Sequence, residues 1–329
     1  MSTQIESSNT SREDFERLRS ELSQHIVGQA ALVDRLLVAL LSAGHLIVEG
    51  APGLAKTRAV KALASGLDAD FHRVQFTPDL LPADLTGSDV FRPEDGTFSF
   101  QPGPLFHSVL LADEINRAPA KVQSALLEAM GEGQVTAGMN SYPLPKLFMV
   151  MATQNPIEQE GTYPLPEAQL DRFMLHVVVD YPDREAGRQI LQLARREALG
   201  DQGEPQLQVK LSQDAVFAAR HEVLSLHLAD SVEAYIVELI EASRAPAQYG
   251  EELANWIRWG ASPRGAIALE RGARSLAWLA DRDFVTPEDV QTIAADVLRH
   301  RIILDFEAEA DGVTKDQFIS TLLARVPAP

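Results

Sequence analysis

The octapeptide Gly50-Ala51-Pro52-Gly53-Leu54-Ala55-Lys56-Thr57 restricts this chain more than any other feature. It follows the apolar run Leu46–Glu49 and opens a stretch with helical spacing, Thr57–Leu67. A strand, a glycine-rich turn and a helix starting at Lys-Thr make a phosphate cradle. The turn's N–H groups and the helix N-terminus converge on an anion, the lysine reaches the outer phosphates, and the hydroxyl of Thr57 is free to ligate magnesium. Ala55 stands where a glycine is expected, and alanine accepts helical φ/ψ, so the helix start survives. An ordinary glycine-rich turn is the bland alternative, opposed by the placement of Lys-Thr and by both flanks.

Four further apolar runs, Phe71–Phe76, Ser108–Ala112, Phe148–Thr153 and Leu175–Val179, read as buried strands, with Ala120–Met130 helical between them. Strands alternating with helices predict an α/β fold around a parallel five-stranded sheet covered on both faces. Two intervals interrupt the alternation and read as insertions: 77–104, rich in proline and glycine around Phe91, Phe98 and Phe100, and 131–146, which has the look of a hairpin. From Leu211 to Leu323 the spacing is helical, and Ser262-Pro263 and Thr286-Pro287 set a cap before a proline at the first helical position. A boundary near Gly203 therefore divides the chain: a polar lead-in over 1–14, an α/β core over 15–203, and a smaller all-helical lid over 204–329. The length of 329 residues agrees, since ~150 residues make a typical domain.

Composition removes whole classes of chemistry. Without cysteine there are no disulfides, thiolate zinc sites, iron–sulfur clusters or cysteine nucleophiles. The histidines show no metal-binding spacing. A charge of −18 (29 Lys+Arg against 47 Asp+Glu) opposes nucleic-acid binding, which needs Lys and Arg against phosphates. Leu36–Val48 is too short and too interrupted to span a bilayer, and 1–14 lacks the apolar core of a secretory signal, so a cytoplasmic location is expected.

The strand Val109–Ala112 ends in Asp113 and Glu114, where a magnesium-binding aspartate and a water-polarising glutamate belong beside the phosphates. Alone such a strand end is commonplace; together with the loop it favours nucleotide hydrolysis.

With the strings Ile26-Val27-Gly28-Gln29, Gly50–Thr57, Ala112-Asp113-Glu114-Ile115-Asn116-Arg117-Ala118-Pro119, Ala152-Thr153-Gln154-Asn155-Pro156 and Leu165-Pro166-Glu167-Ala168-Gln169-Leu170-Asp171-Arg172-Phe173 in this order, the chain resembles the MoxR family of AAA+ ATPases from about Phe15 to Arg325. The resemblance implies a P-loop AAA+ core with a helical lid, with ATP and Mg2+ as cofactors. It implies Val27 and Gly28 at the adenine, and Thr57 and Asp113 at the magnesium. Asn155 is implied as a sensor beside Glu114, Arg172 as an arginine finger given to a neighbouring subunit, and Arg264 as a second sensor on the lid. The bland alternative for Arg172 is a surface pair with Asp171 or Glu167. The resemblance further implies a ring, in particular a hexamer, acting on a client enzyme with a von Willebrand factor A domain partner. That action is expected to aid maturation or metal-cofactor insertion. Phe91, Phe98, Phe100, Met139 and Tyr142 are the candidates for client contact. The rivals are an ATP-switched scaffold with little turnover, a nucleic-acid motor, and a magnesium-chelatase ATPase subunit.

Overall fold

The computed structural model describes residues 2–54, 56–94, 96–138, 140–156, 161–198 and 207–329. Ala55, Met139 and the expected boundary at Gly203 lie outside the described residues.

The apolar runs form five strands: β1 (Leu46–Gly50), β2 (Phe71–Gln75), β3 (Val109–Asp113), β4 (Met149–Gln154) and β5 (Leu175–Val179). All pair in parallel, in the order β2-β3-β4-β1-β5. Side chains alternate between faces along each strand. Leu46, Val48 and Leu111 accordingly join one core, with the helices Ala30–Leu41 and Lys56–Ser65. Ile47, Leu110 and Val150 join a second core, with Val122, Leu126 and Leu127 of the helix Ala120–Glu132. This double covering explains why the central strands read as unbroken apolar runs.

Both insertions carry hairpins. Residues 87–92 pair with 97–102, and 134–137 pair with 140–143. They lean on each other: the Phe100 and Tyr142 rings stack at 4.0 Å. Phe91 and Phe98 form their own ring pair and stay exposed, at 51% and 70%.

The second unit is helical from Gln213 to Arg325, with one departure. Ile257–Trp259 pairs antiparallel with Ile303–Leu304. Segments this short carry too few residues for alternation to register, so the expected all-helical lid contains a small β pair. The expected caps are present: the Ser262 hydroxyl accepts from the Arg264 N–H, and the Asp289 carboxylate accepts from the Thr286 N–H.

The lead-in is more structured than its polarity predicts. One helix spans Ser2–His25 and ties distant parts together. Phe15 packs edge-on against Trp278 at 5.2 Å, and Arg12 pairs with Asp281 and Asp283 at 2.9 and 2.6 Å. Arg19 pairs with Asp34, and Glu21 accepts from the Gln208 N–H. The helical unit also docks on β5 and the start of the sheet. His300 bonds the Phe173 carbonyl, and Arg301 donates to Asp171 and to the Phe173 and Met174 carbonyls.

Candidate functional site

Parallel pairing puts every strand's C-terminal end on one edge of the sheet, and most of the expected site gathers there. Glu49 stands opposite Gln154, and Asp113 opposite Gln75. Gly50 ends β1 in a place closed to any side chain, since a Cβ would sit 2.7 Å from the Val179 carbonyl oxygen. Gly53 turns the loop with φ +84, which favours glycine. The helix then starts at Lys56, whose Nζ donates to the carbonyls of Gly50 (2.6 Å) and Gln154 (3.2 Å). Burial lowers the pKa of Lys56, while the nearby carboxylates of Asp113, Glu114 and Glu49 oppose that shift.

Asp113 is buried and fully engaged. Its Oδ1 accepts from the Thr153 hydroxyl at 2.5 Å, and its Oδ2 accepts from Arg73 at 2.7 and 3.1 Å. Glu114 adopts a left-handed backbone, φ 57 and ψ 50, a costly conformation for a residue with a side chain. Its N–H donates to the Thr153 hydroxyl at 2.8 Å, so one threonine fixes both acids. The Glu114 carboxylate accepts from Gln75 at 2.7 Å and pairs with Arg117 at 3.1 Å. Asn155 follows β4 and is buried beside this cluster. Sequence reading missed Thr153, Arg73 and Gln75. Arg73 and Gln75 are two apart on β2, hence on one face at its C-terminal end, which is the signal that could have found them.

The donor set fits magnesium. The carboxylate of Asp113 and the hydroxyl of half-buried Thr57 are hard oxygen ligands, and Oδ2 of Asp113 is already paired with a cation. Beside the loop, Val27, Gly53 and Leu54 face Ile190, Leu193 and Ala194 across a mostly apolar cavity of about 110 Å³. Among the described residues, none beyond Ala194 lines it.

Arg172 and Arg264 lie elsewhere. Both line a cavity of about 250 Å³ with Ser42, Gly44, His45, Gly131, Arg271 and Arg301. Ser42–His45 lead into β1, so this cavity is at the N-terminal edge. At ~3.3 Å per residue, a five-residue strand separates it from the loop by about 15 Å. Asp171 pairs with Arg301 at 2.9 Å and Arg264 at 3.7 Å, and accepts from the Ser262 hydroxyl at 2.9 Å. Arg172 itself lies against Gly131, and its Nε is buried with no hydrogen-bond partner. The bland pairing with Asp171 is therefore not what the structure holds.

The region 45–175 matches the model for the ATPase family associated with various cellular activities, and 253–322 matches the AAA lid domain. Over 96% of its length the chain is 44% identical to "Chaperone MoxR1" of Mycobacterium tuberculosis, covering 82% of that protein. The chain belongs to the MoxR family of AAA+ ATPases. Membership is seconded by "Protein MoxR" of Methylorubrum extorquens, 32% identical with 97% and 96% of the two chains covered. A crystal structure of a candidate ATPase from Cytophaga hutchinsonii superposes with a TM-score of 0.92 at 46% identity, covering 100% of this chain and 98% of that one. The magnesium-chelatase subunit ChlI of Nicotiana tabacum is more distant, at 27% identity over 64% of this chain and 47% of that one. As a MoxR-family ATPase the chain binds nucleotide, and its five-stranded parallel sheet and helical lid are those of the AAA+ fold. No helix among the described residues is long and apolar enough to cross a membrane.

Proposed function

We propose that this MoxR-family protein hydrolyses ATP at sites shared between adjacent copies of itself and uses the turnover to remodel a client protein. In this reading Gly50–Thr57 holds the phosphates and Val27 and Gly28 flank the adenine. Thr57 and Asp113 hold magnesium, which neutralises phosphate charge when bound. Glu114 takes the proton of the attacking water, and Asn155 orients that water. Arg172 and Arg264 reach the γ-phosphate of the next copy, where a planar guanidinium stabilises charge spread over the equatorial oxygens.

The observation that carries this reading is the place of Arg172. It sits a sheet height from its own loop, with an unpartnered Nε, beside an aspartate already committed to other cations. A side chain cannot cover that distance, so a nearby γ-phosphate must come from another copy. One edge is acidic around Lys56 and the other is rich in arginine, which suits a head-to-tail contact, and such contacts close into rings. We place the core at 15–203, the lid at 204–329 and the ring at six copies. The name of the mycobacterial relative supports a chaperone-like task. A partner with a von Willebrand factor A domain and a role in enzyme maturation or metal-cofactor insertion complete the proposal, as does a cytoplasmic location.

Mixing tests it. Lys56→Ala and Arg172→Ala should each be inactive alone, yet recover turnover when combined, because Lys56→Ala subunits offer intact arginines to intact loops. Turnover per subunit should also rise with protein concentration. A mixture as inactive as its parts would refute shared sites.

A further inference from the structure

Asp113 already has a cation. Arg73 Nη2 and Nε donate to Oδ2 at 2.7 and 3.1 Å, while Oδ1 is spent on Thr153. The same Nη2 donates to Gln75 Oε1 at 3.1 Å. With its oxygen held there, the Gln75 amide presents its nitrogen to Glu114, donating at 2.7 Å. Arg73 thus touches the metal-side acid directly and the water-side acid through one amide. The two partners differ in exposure: the Asp113 side chain is 12% exposed and the Arg73 side chain 50%. A buried carboxylate needs a counter-charge to stay ionised, whereas a half-exposed guanidinium can leave for solvent at little cost.

We infer that Arg73 is the internal counter-cation of Asp113, a positioning residue that a divalent metal must displace from Oδ2 before nucleotide is gripped. The inference rests on the reading of Asp113 as the metal-binding carboxylate. Two cations cannot both keep contact distance to one oxygen without strong mutual repulsion. When the guanidinium swings out, Gln75 loses the donor that fixes its amide, and its hold on Glu114 loosens. Metal entry and the loosening of Gln75 from the water-polarising acid are then one event, with Arg117 left as the partner of the Glu114 carboxylate. Arg73 sets the magnesium concentration at which this exchange occurs.

The experiment is a Mg2+ titration of fluorescent ADP binding, read by polarisation, with the full-length protein. Arg73→Ala should lower the half-saturating Mg2+ about fivefold, the scale of a partly exposed ion pair. Arg73→Lys should fall between, since an ammonium keeps the charge but loses the paired donors. Asp113→Asn should remove the Mg2+ dependence. An unchanged or raised midpoint in Arg73→Ala, with Asp113→Asn behaving as stated, overturns the counter-cation role alone. Retained dependence in Asp113→Asn overturns the metal reading of Asp113 and this inference with it. If Arg73→Ala fails to fold, the lysine variant decides by the same midpoint.

Discussion

At the C-terminal edge of the sheet three carboxylates, Asp113, Glu114 and Glu49, act on one lysine; at the N-terminal edge Arg172, Arg264, Arg271 and Arg301 line one cavity with a single aspartate, Asp171, which pairs with Arg264 and Arg301. The acidic edge is closely bonded, and even its strained Glu114 is pinned by Thr153 and Gln75. The basic edge holds more cations than acids. Burial pulls the Arg301 pKa down to about 10 against the opposing pull of Asp171, and Arg172 keeps an unpartnered buried Nε. The fold ties the carboxylates of one edge to partners inside the chain and gathers at the other edge more arginines than its one aspartate pairs with.

The largest effect is expected at the acidic edge: Glu114→Gln should keep ATP binding while turnover falls about 10²–10⁴-fold, as loss of a general base requires. Full turnover would take Glu114 out of its role. At the basic edge, Arg264 is half-exposed and its contact with Asp171 is long, so little of the fold depends on it. Arg264→Ala should cut turnover roughly tenfold, about 1.4 kcal/mol of barrier, with an unchanged melting temperature. A large loss of melting temperature with normal turnover would make Arg264 a structural residue.

The smallest effect concerns pH. Burial, reinforced by Arg220, lowers His45 to about 4, so it is neutral in the folded protein, while the unfolded chain titrates near 6.5. Between these values the unfolded state binds more protons, so stability must fall as pH drops from 6.5 toward 4. Glu49, lowered chiefly by its hydrogen bond to His176, works in the same direction: its contribution is lost as pH falls through its folded pKa. Melting curves at pH 7 and 5.5 should show a loss of midpoint in the wild type and a smaller loss in His45→Asn. Equal losses would remove His45 from the account.

Much of the acidic edge was legible in the sequence, because its groups cluster in short strings around one loop and one strand end. Lys56, Thr57, Asp113 and Glu114 are specified by their neighbours in the chain. What holds Asp113 and Glu114 was not legible: Arg73, Gln75 and Thr153 meet them only through strand register, some 40 residues away along the chain. The basic edge was half legible. Resemblance pointed to Arg172 and Arg264, but their shared cavity depends on Arg301 and the docking of the helical unit, which no local pattern encodes. The β pair 257–259/303–304 was lost for lack of length, and the helix over the lead-in because its spacing is amphipathic only from Phe15 onward.

That first helix has a mechanical consequence. It works as a tie-bar from Arg12 and Phe15 to the segment Trp278–Asp283, with one fastening that salt can loosen and one that it cannot. Asp281 and Asp283 are 85% and 86% exposed, so their attraction to Arg12 is screened at ionic strengths where the Phe15–Trp278 contact is untouched. The helical unit is thus strapped to the core by a buried pin and an electrostatic clasp.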